Sequence, residues 1–149
     1  MKRSKALYQF LPKAVSILYI VLFVYTATSK LLDFDQFKIQ LGQSPIITTY
    51  ADWISLSIPL LELLIAGLFL FPRFMIYAFY SSIALMVMFT TYIIIILNFS
   101  DYIPCSCGGV LEDLDWSEHI IFNLVFVFLG ILSIHSMGLK PRNPENSLP

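Results

Sequence analysis

Long stretches of almost uncharged residues alternate with short polar ones along the chain, and that alternation predicts the elements. Four apolar runs, at residues 14–30, 53–71, 74–97 and 117–139, each approach the roughly 20 residues a helix needs to cross the hydrocarbon core. The first is the shortest, but Lys13 and Lys30 bracket it and can reach the two interfaces with their ammonium groups. It follows a basic leader, "MKRSKALYQFLPK", yet "YTATSK" is a poor Ala-x-Ala cleavage sequence, so the run reads as an uncleaved helix. The predicted architecture is all-α: a four-transmembrane-helix bundle forming one membrane domain over residues 1–139, with a polar tail, "KPRNPENSLP", at 140–149.

The polar connections carry structure of their own. Between the first two spans, Phe34, Phe37 and Leu41 recur at helical spacing, and Ser44-Pro45 reads as an N-cap followed by proline at the first helical position. One or two short interfacial helices are expected in this first outer loop. "FPRF" at 71–74 is a tight turn, and "DWSE" at 115–118 supplies an N-cap aspartate with a glutamate three residues on, ahead of the last span. Trp53 and Trp116 sit where an aromatic belt would lie.

Charge orients the bundle. Seven of the nine basic residues (Lys2, Arg3, Lys5, Lys13, Arg73, Lys140 and Arg142) fall on one side if the spans simply alternate. The opposite side receives Lys30, Lys38 and eight of the ten acids. By the positive-inside rule both termini are cytoplasmic and the loop between the last two spans faces outward, which in a bacterial cytoplasmic (inner) membrane means the periplasm. A chain that is 58% hydrophobic with a formal net charge of −1 offers lipid as its first partner and no basic face for nucleic acid.

Candidate chemistry concentrates in that outward loop, where "PCSCGG" holds both cysteines of the chain, Cys105 and Cys107, in a compartment where disulfides persist. Two residues of extended chain span at most about 7 Å, and a disulfide wants Cα atoms about 4.4–6.8 Å apart, so a Cys-x-Cys bond is feasible if the backbone bends. Pro104, Gly108 and Gly109 make the bend inexpensive. Closing so small a ring contributes only about 1.6 kcal/mol, which strain can cancel, and strained exposed disulfides are the exchange-prone ones. Dithiol–disulfide chemistry is therefore weighed against three plainer readings: inert thiols, a structural clip, and metal ligation with His119 and an acid. Two cysteines and one histidine fall short of the four ligands of a structural zinc site, and no metal is expected. The acids at 112, 113, 115 and 118 oppose thiolate formation, so help would have to come from Lys30, His119 or a helix N-terminus.

Glu62, midway along "PLLELLIAG", costs about 2.5–3.5 kcal/mol to insert as a charge, which makes it a functional candidate by default. It is either protonated or paired with Lys30, and an interhelical hydrogen-bond clasp is the plainer alternative. His119 and Asn123, four apart on the last span, share a face and could orient a quinone carbonyl or relay a proton. A histidine that only snorkels to the interface is the competing reading. His135 reads as interfacial, and Met86, Met88, Phe89 and Tyr92 as packing or lipid-facing residues.

The segments "YTATSKLLDFDQF", "QLGQSP", "ISLSIPLLELLIAG", "TTYIIIIL" and "PCSCGGVLEDLDWSEHIIFN", in a four-helix layout, resemble the methylamine-utilisation protein E (MauE) and DoxX-like group of small bacterial membrane proteins over about residues 14–138. The resemblance implies an envelope redox role: disulfide formation in, or maturation of, exported proteins, beside thioredoxin-like partners. It points to Lys30, Glu62, Cys105, Cys107, Trp116 and His119. At the level of fold the chain also resembles quinone-linked thiol oxidases of the vitamin K epoxide reductase and DsbB types, which implies a quinone near His119 and Glu62 as electron sink. Those proteins use a Cys-x-x-Cys pair and further cysteines, whereas this chain has one Cys-x-Cys. The functional expectation is thiol–disulfide exchange at Cys105 and Cys107. Its rival is a non-enzymatic accessory subunit of a larger envelope complex in which the pair is a loop clip.

Overall fold

A computed structural model describes residues 2–42, 48–99 and 116–138, and every element in them is helical. In chain order these are α1 (Lys2–Leu32), α2 (Phe34–Gly42), α3 (Ala51–Phe69), α4 (Met75–Phe99) and α5 (Trp116–Gly138), with 3-10 turns at Thr48–Tyr50 and Pro72–Phe74. Helices α1, α3, α4 and α5 are each long and apolar enough to cross a membrane, so the protein is multi-pass and its outward faces meet lipid. The cysteine loop, the Ser44-Pro45 cap and the polar tail lie outside the described residues.

Helices α3, α4 and α5 begin and end within two residues of the hydropathy boundaries. α1 is longer than its apolar run, starting at Lys2 and passing through Pro12. Hydropathy marks what lies in lipid, not where the helix begins, and Lys, Arg, Ala, Leu and Gln ahead of the span are good helix formers. The α3–α4 turn has a covalent cause. Pro72 cannot donate and disfavours a helical Phe71, which is extended at φ −105° and ψ 111°. The freed carbonyls are taken locally, Leu70 N–H donating to Gly67 O at 3.1 Å and Phe71 N–H to Leu68 O at 3.2 Å.

Tyr19 fixes the packing at the turn end of the bundle. Fully buried on α1, its ring stacks on Phe69 of α3 and meets Phe79 of α4 and Phe126 of α5 edge-on, at centroid distances of 5.7, 6.1 and 5.3 Å. Its hydroxyl donates to the Phe126 carbonyl at 2.7 Å. Contacts of Tyr19 with Phe69 and of Lys30 with Glu62 set α1 and α3 antiparallel. Small buried residues let α4 and α5 approach: Ala78 and Ser82 on one, Gly130 and Ser133 on the other. Ser82 and Ser133 donate their hydroxyl protons to the Ala78 and Leu129 carbonyls, so neither buried hydroxyl is left unpaired. A Cβ on Gly130 would stand 3.0 Å from both Ile83 Cγ1 and the Tyr19 hydroxyl.

At the other end α2 folds back on α3. Phe37 and Leu41, the residues whose spacing predicts the helix, are buried with Ala51 against Ile54 and Ile58. Its apolar face is therefore spent on the bundle, and an exposed Lys38–Asp52 ion pair at 2.7 Å ties its polar side to α3. That bond holds the Lys38 ammonium above its usual range. Gly130→Val is expected to lower stability in detergent unfolding by about 1–3 kcal/mol. Combined with Tyr19→Phe it should cost less than the sum of the two changes, because the hydroxyl is one of the atoms in the way.

Candidate functional site

Lys30 closes the last turn of α1 and Glu62 lies near the middle of α3, and the antiparallel packing of the two helices brings them together. The Lys30 ammonium donates to Glu62 Oε1 at 2.6 Å, with side chains 10% and 1% exposed. The carboxylate is thus paired, and the ammonium also lies over the rings of Phe89 (5.5 Å) and Phe37 (5.9 Å). One α-turn before Lys30, the Thr26 hydroxyl stands beside the same carboxylate and 3.3 Å from the Phe23 carbonyl, so it can donate to either. Glu62 Oε2 is left without a hydrogen-bond partner. A pair buried this deeply balances a desolvation penalty against a strong attraction, so its net contribution is small while either partner alone is costly.

The pair sits in the wall of a cavity of about 360 Å³ between the α2 end of the bundle and mid-span. Trp116, His119 and Asn123 of α5 line the same cavity, so five of the seven candidate residues converge there from α1, α3 and α5. His119 and Asn123 are buried, and Trp116 leans over His119 with ring centroids 6.1 Å apart. α5 begins at Trp116, which puts His119 one turn inside the helix on the face that lines the cavity. His135 is exposed, and Trp53 faces away from the bundle with 77% of its surface free. Cys105 and Cys107 lie outside the described residues; the segment that carries them joins Phe99, the end of α4, to Trp116 at the cavity.

Several cavity residues escape a reading from sequence. Met86, Met88, Phe89 and Tyr92 belong to the wall, as do Phe37 and Leu41 of α2. α4 is apolar all round, so no periodicity separates a lining face from a lipid face, and only the partners of the helix decide it. Within hydrogen-bonding range of such a wall the side chains offer an ammonium, an amide, an imidazole and one unfilled carboxylate oxygen. That is a mostly apolar, aromatic pocket with a few convergent polar groups, the usual form of a small-molecule site.

Lys30→Met is expected to destabilise the bundle by about 3–5 kcal/mol by stranding a buried carboxylate, and Lys30→Met with Glu62→Leu to recover most of that loss. Denaturation midpoints in detergent micelles would read both.

Among known proteins, residues 8–136 match the profile of the family described as "Methylamine utilisation protein MauE", a stretch that runs from within α1 to within the last turn of α5. Neither a curated protein nor a solved structure matches the chain. A family match over most of the chain, on four apolar helices of spanning length, makes this a multi-pass membrane protein that belongs to the MauE family.

Proposed function

We propose that the protein is a redox-associated protein of the bacterial cytoplasmic membrane whose outward-facing Cys105–Cys107 pair exchanges disulfides with exported proteins or assists their maturation. The observation that carries this reading is the cavity. Lys30, Glu62, Trp116, His119 and Asn123 line it, and the cysteine segment is tethered to the same end of the bundle through Phe99 and Trp116. The basic residues at 2–13, 73 and 140–142 favour cytoplasmic termini and a periplasmic cysteine loop. Residues 1–139 would then act as one membrane domain with a short polar tail.

In the exchange, a thiolate of the partner attacks one sulfur of the Cys105–Cys107 disulfide and forms a mixed disulfide. The partner's second thiol then resolves it. The partner dithiol is oxidised to a disulfide by two electrons, and Cys105 and Cys107 are left as two thiols. A thioredoxin-like periplasmic protein fits this role because it presents such a dithiol.

To act again the pair must lose two electrons and two protons, and a quinone supplies that chemistry when bound. The residues present fit one: Lys30, His119 and Asn123 can donate to a ring carbonyl, the aromatic wall can take the ring, and Glu62 retains an unfilled oxygen. His119, buried beside Trp116, can hold a proton between the cavity and the loop.

Membership of the MauE family is equally consistent with a membrane accessory role, and the rival reading is a subunit of a larger envelope assembly with the cysteine pair as a clip. The reduction potential of the pair, read by thiol trapping across glutathione and dithiothreitol buffers, separates the two. Exchange predicts a value above about −230 mV, whereas a structural clip predicts one below about −300 mV. In cells, Cys105→Ser with Cys107→Ser is expected to reproduce the deletion phenotype; an intact phenotype would favour the clip.

A further inference from the structure

The unfilled oxygen of Glu62 and the shape of the cavity wall together specify a ligand more narrowly. Oε1 is taken by Lys30, while Oε2, on a side chain 1% exposed that lines the cavity, has no partner. An ionised carboxylate oxygen only accepts, so a ligand that brings a proton of its own can complete this site, in competition with the Thr26 hydroxyl beside it. The cavity is also thin-walled at one seam. Ser57 and Leu61 on α3 and Met88 and Tyr92 on α4, each pair spaced four apart, line it from the two helices of one hairpin. Leu61 and Met88 are nonetheless 43% and 49% exposed, so there the cavity wall is itself the lipid-facing surface. α3 and α4 are clamped together at their turn by Phe69 and Phe79, with ring centroids 5.0 Å apart, and the seam lies toward the opposite end of the hairpin.

We infer that the cavity binds a bilayer-dissolved hydroquinone, which enters between the Ser57–Leu61 and Met88–Tyr92 pairs and donates a ring hydroxyl to Glu62 Oε2. The inference deepens the redox reading above and rests on it for the choice of a hydroquinone among aromatic alcohols. Phe37, Phe89, Phe122 and Trp116 provide rings for its head, and the seam leaves its tail in lipid. The oxidised quinone has no proton for Oε2 and binds more weakly. By linkage, tighter binding of the reduced form makes the bound couple a stronger oxidant than the same couple free in the bilayer.

The test uses the full chain in lipid nanodiscs carrying Trp53→Phe, so that Trp116 in the cavity wall is the sole tryptophan. Its fluorescence reports the binding of a decyl-tailed hydroquinone, the matching quinone and the hydroquinone dimethyl ether. The dimethyl ether is expected to bind about ten- to a hundredfold more weakly than the hydroquinone, the range for a hydrogen bond to a charged group. Lys30→Leu with Glu62→Leu, which removes the pair as a unit, should abolish that difference. Leu61→Phe with Met88→Phe should slow association in stopped flow. Cys105→Ser with Cys107→Ser should leave every affinity unchanged, so a failure of the cysteine reading is distinguishable from a failure of this one. Equal binding of the hydroquinone and its dimethyl ether, a difference that survives in the double leucine variant, or no binding of any of the three overturns the inference. The ether comparison needs no change to the pair, and so holds even if the leucine variant does not fold.

Discussion

Lys30 and Glu62 meet at 2.6 Å in a part of the protein where neither charge could remain alone, and much of the surrounding structure follows from that pairing. An ammonium and a carboxylate taken from water into a low-dielectric bundle each carry a desolvation penalty of several kcal/mol, which their attraction offsets only at close range and good geometry. The pairing therefore pins the register of α1 against α3. It also demands a cover for the ammonium, which Phe37 and Phe89 supply with their ring faces. α2 has to fold back for Phe37 to be there, and so this nine-residue helix between the first two spans packs one face against α3.

The two ends of the bundle solve different problems. Hydrocarbon gives apolar helices no hydrophobic reason to associate, so contact at the turn end comes from close fit. Tyr19 with Phe69, Phe79 and Phe126 fills that space, and Gly130, Ser82 and Ser133 let the backbones draw in. Toward the α2 end the inward positions are large or polar: Phe37, Phe89, Phe122, His119 and Asn123. They do not interdigitate to closure, and a cavity of about 360 Å³ remains with the ion pair in its wall. The close-packed clamp at one end fixes the helices whose far ends shape the pocket at the other.

The site is a product of convergence. Each helix contributes only one part of it: a lysine at a helix end, a glutamate in a leucine run, a histidine and an asparagine one turn apart. Brought together from α1, α3 and α5, they give the MauE-family chain a set of donors and one unfilled acceptor beside the attachment points of its cysteine segment.

Much of this was legible before folding, for reasons that lie in single residues and local chemistry. The four spans follow from the insolubility of long apolar runs in water, the α3–α4 turn from a proline that cannot continue a helix, and the start of α5 from the polar "DWSE" ahead of an apolar run. Lys30 was a natural partner for Glu62 because a lone acid in hydrocarbon calls for a base. What no local rule could decide was which face of each helix turns inward. α4 is apolar on every side, so Phe89 as a cavity wall and Tyr77 as a lipid-exposed ring read alike along the chain. His119 as a buried cavity residue and as an interfacial one were likewise equivalent. Those choices belong to the packing, because only neighbouring helices distinguish a position against protein from a position against lipid when both surroundings are equally apolar.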